Sequence, residues 1–379
     1  MEKLYGNIMM KKSFFYPVPL AGIILLCGAA LCSGCYTLKQ GTTMLGYLNR
    51  AIPLEDLLTA KTFDGSSAAA SDEALAKAED NRLFAERAQD IRGFAMNDLG
   101  LKESKNYTKY VELDRDYLAA VVSACAKDSF TRYEWWFPIV GSVPYKGFFN
   151  IEDARKERQN LEKKDLDVWI RGVDAFSTLG WFADPLYSYM KNYPPQELAD
   201  LIIHELVHAT IYLKNYSQFN EELAEFIGSE GSRLYMLKTY GSTAEEEMEK
   251  EAADNSADNA AFVLYIQNLI AQLDSMYNNP GLSREEKLNQ KSIIISEAQA
   301  RFMESYDQKY KTQNYRGFGD MQINNAYLDL YRLYYERNNW FRDVYEKSGS
   351  DLKTFIAAAK TLKGKDDPRI ELQKALGLL

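Results

Sequence analysis

The sequence predicts an α+β fold, mostly helical, in which a small mixed β-sheet precedes a helix carrying metal ligands. Three observations predict it. The only two histidines of the 379 residues lie four apart, as His204-Glu205-Leu206-Val207-His208. Three short runs between Tyr117 and Phe176 are rich in aromatic and β-branched residues, as strands are. Most of the remaining chain carries apolar residues at helical spacing. With 46% hydrophobic and 13% aromatic residues, the chain can bury one large core or two smaller ones.

The first 35 residues read as an export signal with a lipobox. Lys11-Lys12 is followed by the apolar run Phe14 to Leu26 and then by small residues up to Cys35. Leu31-Cys32-Ser33-Gly34-Cys35 resembles a bacterial lipobox, although Cys32 stands where an aliphatic residue is usual. Lipidation at Cys35 is therefore expected, with the chain on the membrane of the bacterial envelope, facing the periplasm or the exterior. A membrane-spanning leader is the competing reading, because the apolar run approaches the length of a short span. Met9-Met10 offers alternative starts. After processing only Cys35 and Cys125 remain of the 4 cysteines, which excludes a disulfide framework. Cys125, in an apolar run, is expected to pack as a small hydrophobe.

Residues 36–110 form an N-terminal helical segment, with a helix from Thr43 to Lys61, a Gly/Ser/Ala linker at 65–71 and a helix from Asp72 to Met96. Residues 111–240 form the expected catalytic core. Its strands are Tyr117 to Cys125, Tyr133 to Val140 and Leu166 to Phe176, with a charged surface helix from Ile151 to Lys164. Residues 241–316 read as a helical hairpin, Ala244 to Asn278 and Ser283 to Lys311, turned by Asn278-Asn279-Pro280-Gly281 and restarted by the capping box Ser283-Arg284-Glu285-Glu286. Its acid run Glu245-Glu246-Glu247 is expected to be solvated. Residues 317–379 complete the fold as helices. There Tyr327, Leu330, Tyr331 and Tyr334 form a stripe of the kind that usually lies in a core.

The central chemistry lies between Pro194-Pro195 and Lys214. Proline suits the first turn of a helix, and Leu198, Leu201, Ile202, Val207 and Ile211 recur at helical spacing. On that helix His204 and His208 lie one above the other and can grip one ion, while Glu205 can reach a water at the metal. This is the arrangement of a zinc hydrolase with a glutamate general base. A buried helix with two ordinarily hydrogen-bonded histidines is the plainer alternative. A catalytic zinc usually takes three protein ligands. Ile211 and Lys214 exclude the metzincin pattern, so the third ligand must be Asp, Glu or Cys. Glu221, thirteen residues beyond His208 across the turn 215–218, is the candidate, with small Ala224 letting the two helices approach. Glu222 reads as a solvated acid. Glu225 could instead hydrogen-bond the far nitrogen of a ligating histidine.

Phe176-Ser177-Thr178-Leu179-Gly180-Trp181-Phe182-Ala183-Asp184-Pro185-Leu186, His204 to His208 and Phe219-Asn220-Glu221 together resemble the bacterial predicted aminopeptidases of gluzincin type. Phe137 to Gly147 and Asn324-Asn325-Ala326 resemble the same family, so the likeness covers most of the chain. The stretch from about Thr243 to Asn314 departs from it. The resemblance implies a gluzincin-like fold and zinc-dependent peptidase activity on a peptide or protein substrate, without fixing exo- or endo-cleavage. In gluzincins an edge strand pairs with the backbone of an extended peptide. Ala175 to Phe182 would fit that role, although Trp181 fits a core residue equally well.

The net charge of −9, with no basic cluster, argues against a nucleic-acid partner. With both histidines committed to metal, Ser-His-Asp and Cys-His nucleophile systems are excluded. An oxyanion must then be stabilised by a tyrosine, an arginine or a backbone amide, and Tyr327 is the candidate among the 26 tyrosines. The alternatives to an enzyme are a non-catalytic zinc-binding envelope lipoprotein and an interaction scaffold built on the hairpin.

Overall fold

The computed structural model describes residues 34–59, 72–137, 141–173, 184–214, 216–332, 340–362 and 367–379. The expected leader before Gly34, the linker at 65–71 and the peptide-pairing segment Ala175 to Phe182 lie outside them, as does the side chain of Cys35. No described helix is long and apolar enough to cross a membrane.

The protein is predominantly helical with three small sheets. In chain order come α1 (Gly34–Arg50), β1 (Ile52–Pro53), α2 (Leu54–Thr59), α3 (Asp72–Asn97) and β2 (Lys109–Val111). Then follow β3 (Ala119–Ala126), β4 (Trp135–Phe137), β5 (Gly141–Val143), β6 (Lys146–Phe148), α4 (Ile151–Glu162) and β7 (Leu166–Val173). After β8 (Leu186–Tyr187) the chain is helical: α5 (Pro195–Thr210), α6 (Ser217–Tyr240), α7 (Ser242–Tyr277) and α8 (Arg284–Lys309). It closes with α9 (Asn325–Leu328), α10 (Trp340–Lys347), α11 (Leu352–Ala359) and α12 (Pro368–Ala375).

The helix expected from Thr43 to Lys61 is broken at Ile52–Pro53, which pair with Tyr110 and Lys109. Proline has no N–H to donate and clashes with the preceding turn, so the helix stops there.

The chain divides into two compact units. One comprises residues 1–40, 119–173 and 249–336, and the other 41–118, 174–248 and 337–379. The segment 111–240 expected as one catalytic core is thus shared between them.

In the first unit β3 is the central strand of an antiparallel sheet, flanked by β6 and β7. Almost all of β3 is buried, and Cys125 is fully enclosed there. Burial, reinforced by the charges of Asp329 and Asp167, pushes its thiol up to about 12, so it is an inert packing residue. The hairpin α7–α8 forms as the sequence predicts, and its apolar stripe is buried. Phe262, Ile266, Leu273, Phe302 and Tyr306 enter one core with Phe130, Phe318, Tyr327 and Tyr331. The acid run at its start is mostly exposed, as expected. Ser283 and Glu286 form the anticipated capping box. Asn325 ties α9 to β3: its side-chain amide donates to the carbonyls of Ala126, Lys127 and Ser129, and its carbonyl oxygen accepts from the Tyr277 hydroxyl at 2.9 Å.

In the second unit the mixed sheet ahead of α5 is built from strands too short to read in the sequence. β1 pairs antiparallel with β2, and β2 pairs parallel with β8. The strands that the sequence did reveal belong to the other unit. From β8 the chain enters α5, which lies along α3 and α6. Leu198, Ile202, Ile203, Leu206 and Val207 are buried on α5, as are Leu223, Ala224 and Ile227 on α6. Phe219 and Phe226 of α6 meet Phe341 of α10, and Phe226 also meets Phe355 of α11.

Candidate metal centre

α5 begins at Pro195 and runs without a break through both histidines to Thr210. Its end is fastened to α6 by one residue. Asn220 accepts a hydrogen bond from Leu213 N at 3.0 Å and donates one to Leu213 O at 2.8 Å, pairing with the connecting loop as a strand neighbour would. These two bonds hold the first turn of α6 against the end of α5, and Glu221 is the next residue along it.

α6 meets α5 along Glu221, Ala224, Gly228 and Gly231, which share one helical face. A β-carbon on Gly231 would stand 3.0 Å from the Leu99 side chain and 3.1 Å from that of Ile203. One on Gly228 would run into the Asp200 carboxylate and stand 3.2 Å from the β-carbon of His204. The small residues permit the close approach that carries Glu221 to the histidines.

His204 Nε2 and His208 Nε2 are 3.1 Å apart. Glu221 Oε2 lies 3.7 Å from the former and 3.5 Å from the latter. Two ligands on a tetrahedral zinc, each about 2.05 Å from it, are separated by about 3.3 Å. The three measured separations bracket that value. Among the described residues, these three are the group of histidines and acids placed to hold one ion. The donor set, two imidazoles and a carboxylate, is also one that suits zinc.

Burial alone would push the Glu221 carboxyl up, but its hydrogen bonds to His204 and His208 and their charge outweigh burial and hold it down at about 2. Burial alone would lower His204. The hydrogen bond to Glu221 and the charges of Glu205, Asp200 and Glu221 outweigh it and raise the imidazole above its ordinary value.

Two polar atoms here are buried with no hydrogen-bond partner, Glu205 Oε2 and His208 Nδ1. Such atoms are costly in a folded protein and call for a functional explanation. The partnerless Nδ1 of His208 also shows that Glu225 does not hold that ring. Glu222 is not a solvated acid. It pairs with Arg369 of α12 at 2.6 Å and accepts from Gln218 at 2.8 Å, while Arg369 lies over the Trp340 ring. Tyr327 belongs to the aromatic core of the other unit, against Trp169, with its hydroxyl 3.4 Å from that of Tyr331. It is buried in that core, as its stripe suggested.

The sequence does not single out Tyr107. This buried tyrosine has a left-handed backbone (φ 59°), and its N–H donates to Asp184 O at 2.6 Å. Its loop is held by Arg92 of α3, which donates to the carbonyls of Ser104 and Asn106. Burial raises the Tyr107 phenol well above its usual value, and Glu205 is the foremost of the charges that add to the effect. A neutral phenol is thus kept within electrostatic reach of Glu205. It lies in a polar loop without periodicity, where no sequence signal marks it.

A family model described as "Putative aminopeptidase" matches residues 35–375. The chain belongs to that family. No curated protein and no solved structure matches it. The match spans residues of both compact units, and the α7–α8 hairpin, expected from the sequence to be an insertion or a divergent part, falls between its ends.

Proposed function

We propose that this member of the aminopeptidase family is a zinc-dependent peptidase of the bacterial envelope, held to the membrane at Cys35. The separations of 3.1, 3.5 and 3.7 Å among His204, His208 and Glu221 carry this reading, because they match the spacing that one tetrahedral ion imposes. His204, His208 and Glu221 would hold the ion. When bound, zinc would polarise a peptide carbonyl and acidify a water.

Glu205 does the proton work. Its partnerless Oε2 accepts the proton as water attacks the carbonyl, and delivers it to the amine nitrogen as the C–N bond breaks. Burial holds the Tyr107 phenol well above its usual value and the charge of Glu205 adds to the effect, which makes it the tyrosine to test, beside the sequence candidate Tyr327, as a hydrogen-bond donor to the developing oxyanion. A peptide-library cleavage profile of the purified chain, with zinc and with chelator, tests the proposal. Zinc-dependent cleavage is expected. A zinc-loaded, folded protein that cleaves no member of the library would turn the reading toward a non-catalytic zinc protein.

A further inference from the structure

β4 and β5 form a two-stranded ribbon in the first unit, with Trp135, Trp136 and Phe137 opposite Val143, Ser142 and Gly141. Alternation turns neighbouring side chains to opposite faces. Trp135 is buried, and its indole N–H donates to Glu157 at 2.6 Å. Phe137 faces the Tyr36 ring, with centroids 6.2 Å apart. Trp136 turns outward and is 70% exposed.

A single exposed apolar side chain is ordinary, and Leu264 and Ile293 of the same unit are also exposed. What separates Trp136 is its position relative to the anchor. Tyr36 directly follows Cys35, about 3.8 Å further along the chain. Its hydroxyl donates to Gly147 O, and its ring packs on Phe148 at 5.5 Å. The first residue beyond the anchor is therefore fastened to the ribbon and to β6 next to it. Whether the leader is removed and Cys35 lipidated, or kept as a span, the chain leaves the bilayer at about Cys35. Both readings put the ribbon at the membrane surface, and Trp is the residue whose amphipathic ring settles at headgroup level.

We propose that the β4–β5 ribbon is a membrane-contact element and that Trp136 inserts into the interfacial layer of the bilayer that holds the anchor. This rests on the anchoring part of the proposed function and adds a second, protein-borne contact. Such a contact would give the first unit a second point of attachment and so fix its orientation against the lipid surface, which attachment at one residue does not.

The test uses the full chain, reconstituted in phosphatidylethanolamine and phosphatidylglycerol vesicles whose acyl chains carry bromine near the headgroup. Tryptophan quenching is compared between wild type and Trp136→Phe, and intact mass reports whether a lipid or the leader is present. The expected result is a bromine-quenched component that is lost in Trp136→Phe. In the wild type, that component is shielded from aqueous acrylamide in vesicles and accessible in detergent. Equal bromine quenching in both proteins, with an anchor present by mass, would overturn the inference and leave the anchor standing. A chain with neither lipid nor leader would remove the anchor and this inference together.

Discussion

Gly228 of α6 lies so close to His204 of α5 that a β-carbon built on it would stand 3.2 Å from the histidine's own. Glycine inside a helix costs about 1 kcal/mol relative to alanine, so its presence there needs a reason, and this contact is the reason. Gly228→Ala should improve local helix propensity yet push the helices apart, at a packing cost of about 1–3 kcal/mol. Glu221, two turns earlier on the same face, would move with α6. Zinc affinity is expected to fall about tenfold or more, as when groups supporting ligands are lost, with the far-UV helix signal unchanged. Titration with a competing chelator measures it. Wild-type affinity in Gly228→Ala would show that the close approach is not what places Glu221.

The ligand set itself is tested by elemental analysis. About one zinc per chain is expected, as for a single three-ligand site. His204→Ala, His208→Ala and Glu221→Ala should each lower occupancy sharply. Glu222→Ala should keep the metal but lose about 1–2 kcal/mol of stability, since its half-buried pair with Arg369 lies between the exposed and buried extremes. Full occupancy in Glu221→Ala, or metal loss in Glu222→Ala at unchanged stability, would reassign the third ligand.

The same geometry that matches zinc was partly legible in the sequence. The i, i+4 histidines and the polar turn before Phe219 are local signals, so α5, α6 and the three ligand candidates could be read directly. What fixes Glu221 in space could not, because Asn220 acts on the Leu213 backbone and Gly228 on a neighbouring helix, and both are contacts between elements. The two- and three-residue strands β1, β2 and β8 carry no periodicity, since they exist only through pairing with one another. The α7–α8 hairpin and its capping box were legible as local signals, whereas the core that Phe262, Ile266 and Leu273 join is made by contacts between elements.

Metal-free protein should show a pH signature of the Glu221–histidine pairing. His204 is raised from 6.5, so its share of stability is complete below that value and is lost as pH climbs through the folded value. Glu221 is lowered from 4.5 to about 2, so its share is complete above 4.5 and is lost as pH falls toward 2. The Tm difference between wild type and Glu221→Gln, both stripped of metal, should therefore be largest between pH 4.5 and 6.5 and shrink on either side. A difference independent of pH would mean that Glu221 contributes by packing alone.

If Tyr107 is the oxyanion donor proposed above, it acts in turnover rather than in metal binding. Tyr107→Phe removes only the hydroxyl, so folding and zinc content should match wild type. Losing one oxyanion donor costs about a hundred- to a thousandfold in kcat. Steady-state kinetics on a peptide chosen from the library profile would show this. A wild-type kcat in Tyr107→Phe would leave the oxyanion to a backbone amide or an arginine. Tyr327→Phe, its hydroxyl confined to the core beside Tyr331, should leave kcat unchanged.

Glu205→Gln separates an enzyme from a zinc-binding protein. Glutamine keeps the shape and polarity of the side chain on a helix turn that stays buried, and Glu205 is not one of the three residues placed to hold the ion. Zinc occupancy should stay at the wild-type value, and stability should not fall, because exchanging a buried partnerless carboxylate oxygen for a neutral amide removes a desolvated charge. Peptide hydrolysis should fall about a hundred- to ten-thousandfold, the usual contribution of a general base. Turnover and zinc content measured on the same samples distinguish the outcomes. Loss of turnover at full occupancy places the proton transfer on Glu205. Equal turnover in both proteins would exclude it, and zinc held by both without turnover in either would favour a protein that binds the metal for structure or storage.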